Sequence, residues 1–253
     1  MGGTNIAGLD LTHTSHTDAG TYAADAWSFH DSSGNYADAS GKVDDLISQA
    51  QLTITANDKP MTLNGSLPTF DATYKGFVPT QNSGALNGTL TCSTTTNGKL
   101  IGSFPITCSG QSSTNYSITY KPGILSIQYA GGGICAGDIG HQILQPINAA
   151  GTSVFNSKST TPAKFRVCDV NGVSIGTPGV VKGFAVARVL NGTVSDQNEA
   201  VDSTTPDSTF RWDPMAQQWI FNISNKSLSN SRTYGFLITL NDGSSISFQY
   251  GIK

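Results

Sequence analysis

The sequence predicts an all-β protein built as tandem β-sandwich modules, and three observations lead there. Apolar and polar residues alternate along short runs, as in Leu52-Thr-Ile54 and SISFQYGI at 245–252, which is the period of a half-buried strand. Turn dipeptides punctuate these runs: Asn97-Gly98, Asn171-Gly172 and Asp242-Gly243 are the residue pairs that tight hairpins require. Finally, a pattern recurs. Ala19-Gly-Thr-Tyr22, Trp27-Ser-Phe29 and Gly34-Asn-Tyr36 are echoed by Ile101-Gly-Ser-Phe104, Ile106-Thr-Cys108 and Thr114-Asn-Tyr116, at a spacing of about 80 residues, the size of a small sandwich repeat.

Composition fits this reading and narrows the function classes. The chain has 253 residues, of which 37% are hydrophobic and only 12% charged, and its formal net charge is −3. Such a balance provides no basic face for nucleic acid or an acidic bilayer, so neither partner is expected. No run approaches the roughly 18 apolar residues of a membrane span, so no membrane insertion is expected. Met1-Gly-Gly-Thr4 has neither the basic start nor the apolar core of a signal peptide.

Residues 1–48 carry the rear features of an Ig-like repeat with almost nothing before Leu9, so the first module is expected to be truncated. Its aromatic residues, Tyr22, Trp27 and Phe29, want a partner, either the following module or a second copy of the chain. Residues 49–129 hold a complete repeat. Cys92 in TLTCSTTT and Cys108 in FPITCSG lie on two strand-like runs flanking Asn97-Gly98, so a hairpin places them within bridging reach. Cys135 and Cys168 then pair by elimination. No C-x-x-C occurs, which argues for disulfides over zinc and for an oxidising, extracellular or cell-surface location.

The stretch 49–127 resembles the MBG ("mostly bacterial glue") family of Ig-like repeats on bacterial surface proteins. The resemblance rests on LTITANDKPMTLNGSLPTFDATYKGFV, GTLTCSTTT, IGSFPITCSG and TNYSITYKPGILSI. Residues 8–47 look like the rear of a related repeat.

Residues 130–253 form the last module, entered through the glycine-rich joint GGGICAGDIG at 131–140. On a strand through PAKFRVC, Phe165 and Val167 point one way and Lys164, Arg166 and Cys168 the other. Phe165 is therefore assigned to the core, and Lys164 and Arg166 to a solvated or partner-facing side. From about 139 to 253 the chain resembles the PxKF family found at the carboxyl ends of bacterial secreted proteins. HQILQPIN, SVFNSKSTTPAKFRVCD, FRWDPMAQQWIFNIS and TYGFLITLNDGSSISFQYGIK carry that likeness. It implies an Ig-like terminal module and no catalytic residues.

Four stretches carry residue types that chemistry could use. Gly172-Val-Ser174-Ile-Gly176 has the G-x-S-x-G spacing of a serine-hydrolase elbow, with His141 and Asp169 as the nearest partners. That elbow needs a strand turning into a helix, whereas Thr177-Pro-Gly179 cannot start one, so a hairpin serine is the stronger reading. His13, His16 and Asp18 offer a candidate metal set, but positions three apart on a strand face opposite sides. Gly131-Gly-Gly-Ile-Cys-Ala136 matches a loose dinucleotide pattern without the helix it requires. Trp27, Trp212 and Trp219, with Tyr22, Tyr36 and Tyr116, could form a sugar platform, though such residues more often fill Ig-like cores.

The reading that results is a non-catalytic cell-surface structural or adhesive module. Its expected partners are neighbouring Ig-like modules and a glycan or protein surface, and no cofactor is expected. The alternative is a secreted hydrolase of an ester, lactone or glycan, working through Ser174 or through a metal on His13 and His16.

Overall fold

The computed structural model describes residues 7–191, 193–200 and 209–253. Met1–Thr4, read above for targeting features, lie outside the described residues. The chain is all-β. In order the strands are β1 (Leu9–Asp10), β2 (Gly20–Phe29), β3 (Ala39–Ile47), β4 (Ala50–Ala56), β5 (Lys59–Thr62), β6 (Ala72–Lys75), β7 (Thr91–Thr94), β8 (Gly102–Ser109), β9 (Tyr116–Lys121) and β10 (Gly123–Gln128). Then follow β11 (Ile134–Cys135), β12 (Asp138–Ile139), β13 (Ile143–Leu144), β14 (Val154–Phe155), β15 (Thr160–Phe165) and β16 (Val181–Asn191). The last are β17 (Thr193–Ala200), β18 (Arg211–Asp213), β19 (Gln218–Ser224), β20 (Arg232–Leu240) and β21 (Ser245–Ile252). Single 3-10 turns occur at Ser83–Ala85 and Asn225–Ser227. Among the described residues no helix is long and apolar enough to cross a membrane.

Two compact units divide the chain. The first takes the described residues of Met1–Asn57 with Phe70–Ser93 and Ile106–Gly123; the second takes those of Asp58–Thr69, Thr94–Pro105 and Ile124–Lys253.

In the first unit, β4 sits between β6 and β9, antiparallel to one and parallel to the other. Alternation along β4 sends Leu52, Ile54 and Ala56 inward, where Leu52 and Ile54 pack with Leu86 and Tyr116. Tyr116 adds polar ties at its rim: its hydroxyl accepts from the Val78 N–H and donates to Gln81. The β1-β2-β3 sheet belongs to the same unit. Asn115 holds it there, accepting from the Ala19 N–H at 2.7 Å and donating to Asp18 at 2.7 Å.

The β2–β3 pairing is antiparallel with a shift of register between Tyr22 and Asp25. Ala24 in this bulge has φ of 61°, a left-handed conformation. The insertion reverses the alternation: Gly20 and Tyr22 are half-buried before it, and Asp25, Trp27 and Phe29 after it. Across the pair, Gly41 faces Trp27, and a Cβ at Gly41 would come within 2.8 Å of the indole. Only glycine lets the ring lie flat on that strand.

In the second unit, residues from Ile143 onward build a two-sheet sandwich. One sheet runs β13-β15-β19-β18 and the other β14-β21-β20-β16-β17. Their inner faces meet in an aromatic core. Phe165 and Phe221 come from the first sheet, Phe184, Phe236, Phe248 and Tyr250 from the second, and Phe210 completes it. Ring pairs at 4.9–6.3 Å add edge and stacking attraction to the area removed from water. Phe165 and Val167 are fully buried.

Arg166 departs from its expected solvated or partner-facing role. Its guanidinium is largely covered, pairs with Asp138, and donates to the carbonyls of Ala216 and Gln217. The turn between β18 and β19 aims those carbonyls at it. Near the β15 start, Asn225 is fully buried and fully satisfied. Its amide donates to Asn156, Ser159 and Thr161, and its oxygen accepts from Tyr250.

Candidate functional site

The residues of the G-x-S-x-G stretch lie in a hairpin. Cys168 and Ser174 form an isolated antiparallel bridge, and the Ile175 N–H donates to Val167. The Ser174 hydroxyl is committed to the Gln217 carbonyl at 2.9 Å. Asp169 is buried and its acceptors are filled. One oxygen takes the N–H groups of Asn171 and Val173 at 2.9 and 3.0 Å, the other the Asn64 amide at 2.8 Å. Burial pushes its carboxyl up, but the Asn64 and backbone bonds outweigh this and hold it below the usual Asp value. His141 has φ of 60°, donates its N–H to Arg166, and carries a buried Nδ1 without a partner. Among the described residues no hydrogen bond joins Ser174, His141 and Asp169. The nucleophile lacks a base at its oxygen, and the carboxylate lacks an imidazole to orient.

What Asp169 does instead is brace a junction inside the second unit. Leu63 donates to Gln128 and accepts from Val170, while Ala130 donates to Cys168. Tyr129 adds two ties, its N–H to the Asp242 carboxylate and its hydroxyl to Asn241. Burial drives the Tyr129 hydroxyl up to about 12, so it stays a donor at any physiological pH. The glycine-rich stretch begins a small β11–β12 hairpin where a dinucleotide fold would need a helix.

Disulfides join Cys92 to Cys108 in the first unit and Cys135 to Cys168 in the second. The four cysteines are thereby all used.

The histidines separate. His13 is exposed, and Asp18 is occupied by Asn115. His16 instead meets Asp25 at 2.5 Å, with Asp45 close by. Sequence reasoning missed both aspartates because the β2 bulge moves Asp25 to a face that simple alternation denies it. A signal did exist: Tyr22 and Trp27 share a face only if one residue is inserted between them.

A cleft of 630 Å³ lies beside the aromatic core of the second unit, lined by Trp212, Trp219, Phe210, Phe184, Pro178 and Lys182 among others. Gly176 lies against the Trp212 indole, where a Cβ would come within 2.2 Å. Trp219 is buried and donates its ring N–H to Ile175. Trp212 is partly exposed.

Residues 52–126 match the MBG domain (YGX type) family. No curated protein matches the chain. Among solved structures it is similar to a Bacteroides ovatus mixed-linkage glucan utilization locus protein, SGBP-B, in complex with a mixed-linkage heptasaccharide. That likeness has 9% identity over 94% of this chain and 54% of the other, with a TM-score of 0.22. It is also similar to protocadherin gamma B2 extracellular cadherin domains 3–6, at 9% identity over 92% of this chain and 59% of the other, with a TM-score of 0.21. The chain thus spans little more than half the length of either.

Proposed function

We propose that this chain is a non-catalytic structural or adhesive module of the bacterial cell surface. The observation that carries the proposal is the MBG match over residues 52–126, a domain type of surface proteins. Two disulfides support it, since such bonds persist in oxidising compartments. The organisation proposed is an Ig-like segment over 1–48, an MBG repeat over 49–129, and a PxKF-type terminal module over 130–253. The bonds around Asp169 and Tyr129 give these residues a structural part inside the second unit, in keeping with a non-catalytic module. Neighbouring Ig-like modules are its first partners, and a glycan or protein surface its adhesive ones. Trp212, partly exposed at the cleft, is the residue for a sugar ring to stack on.

The test is made in the organism that carries the gene. An impermeant thiol reagent and an added protease are applied to intact cells. The expected outcome is protease-accessible chain with no free thiol. Protein that stays protected on intact cells, and whose Cys92 or Cys135 alkylates once the cells are lysed, sinks the surface reading. A chromogenic ester panel on purified protein is expected to show no turnover, and turnover lost in Ser174→Ala would restore the hydrolase.

A further inference from the structure

We propose that His16, Asp25 and Asp45 form a binding site for a zinc-type divalent cation on the β2–β3 hairpin of the first unit. The inference is independent of the surface-module reading. One ligand atom from each residue lies within 4.8 Å of the other two, and all three side chains are half-buried. Three donors on an ion at about 2.1 Å stand about 3.4 Å apart in tetrahedral geometry. A small side-chain adjustment therefore closes the set.

The donors converge for identifiable reasons. Asp45 lies opposite Tyr22 in the strand pair, so both project from one face. The bulge at Ala24 then brings Asp25 onto that face. His16 arrives from the β1–β2 connection and stacks on Tyr22, with ring centres 3.5 Å apart and planes within 4°. Tyr22 is in turn fixed through its hydroxyl, which donates to the Asp18 carbonyl at 2.7 Å. The imidazole is thereby presented edge-on to the carboxylates by a braced ring, as metal-ligating histidines are oriented by their surroundings.

Charge favours a cation. Among the described residues neither Asp25 nor Asp45 pairs with a lysine or arginine, and the Asp45 side chain makes no hydrogen bond. Two carboxylates beside one imidazole make a donor set of net negative charge, which a divalent ion neutralises. The donor set selects the class. One nitrogen and two oxygens suit zinc and its neighbours, whereas calcium and magnesium call for oxygen ligands in greater number. Three protein ligands leave a fourth position for water.

The experiment uses the full chain, stripped of any tag and of metal, titrated with Zn²⁺ against a chromophoric chelator. One equivalent is expected to bind. Asp45→Asn and His16→Gln should weaken binding at least tenfold, while His13→Gln and Asp18→Asn leave it unchanged. Asp45→Asn is the decisive variant, because removing its charge breaks no contact of the fold. Co²⁺ in place of Zn²⁺ should give a visible absorption band that Asp45→Asn abolishes. Absence of stoichiometric Zn²⁺ binding, equal binding by Asp45→Asn, or equal displacement by Ca²⁺ each overturns the proposal.

Discussion

Asp169 shows how one side chain changes meaning between sequence and structure. Beside Ser174 in the chain it looks like a triad acid; in the fold it is a buried acceptor for Asn64, Asn171 and Val173. Its folded value lies below the ordinary Asp value of about 3.9. The stabilisation is thus fully present above about pH 4 and is lost as pH falls through the depressed folded value. Acid unfolding of the second unit, followed by Trp fluorescence, should be shallower in Asp169→Asn, which should also lose about 1–3 kcal/mol at neutral pH through mismatched donors. An unchanged acid profile would remove Asp169 from the brace. Phe165 makes a complementary case. Its side chain is fully enclosed by the aromatic core, so Phe165→Ala should cost about 3–5 kcal/mol in urea denaturation. Lys164→Ala, one position along and only half-buried, should be nearly silent. Reversed sensitivities would mean the strand register is off by one.

At the scale of elements, the strands of the last sandwich were legible and the β2 bulge was not. SISFQYGI and FRWDPMAQQWIFNIS keep strict alternation around turn residues, because each strand has one face on a single core. Their inward residues, Phe221, Phe248 and Tyr250, could be read directly. The β2–β3 hairpin hides its geometry because the insertion falls at Ala23-Ala24, two small residues without turn character. The pairing of His16 with Asp25 and Asp45 was illegible for that reason, since it needs both the phase change and a contact across the strand pair. The carbonyls that capture Arg166 belong to a turn far along the chain, which no local pattern reports. The bulge can be tested by backbone preference. Ala24 holds φ of 61°, where a side chain costs about 1–2 kcal/mol that glycine avoids. Ala24→Gly should therefore raise the stability of the first unit by some fraction of this, and Ala24→Val should lower it. Hydrogen exchange of β2 amides gives the readout, and an opposite order would mean that the bulge is absent in solution.

For the whole molecule, the two disulfides set what a reducing environment does to it. Both cysteines of each bond lie within one compact unit. Cys92–Cys108 closes a separation of 16 residues and Cys135–Cys168 one of 33, for which loop-closure entropy gives about 3 and about 4 kcal/mol. Either is a large part of the roughly 5–15 kcal/mol that holds a domain folded. Their accessibility differs. Cys135 and Cys168 are 1% and 2% exposed, whereas Cys108 is 7% exposed and its partner Cys92 only half-buried. Thiol exchange requires a thiolate to reach a sulfur atom. Mild dithiothreitol on the native chain should therefore open Cys92–Cys108 first, with Cys135–Cys168 following only once denaturant loosens the second unit. Timed alkylation with peptide mapping reads this order. Hydrogen exchange on the singly reduced species should then show lost protection in β4 and β9 while β15, β20 and β21 keep theirs. Simultaneous reduction of both bonds, or loss of protection in the terminal sandwich first, would contradict the assignment of one staple to each unit.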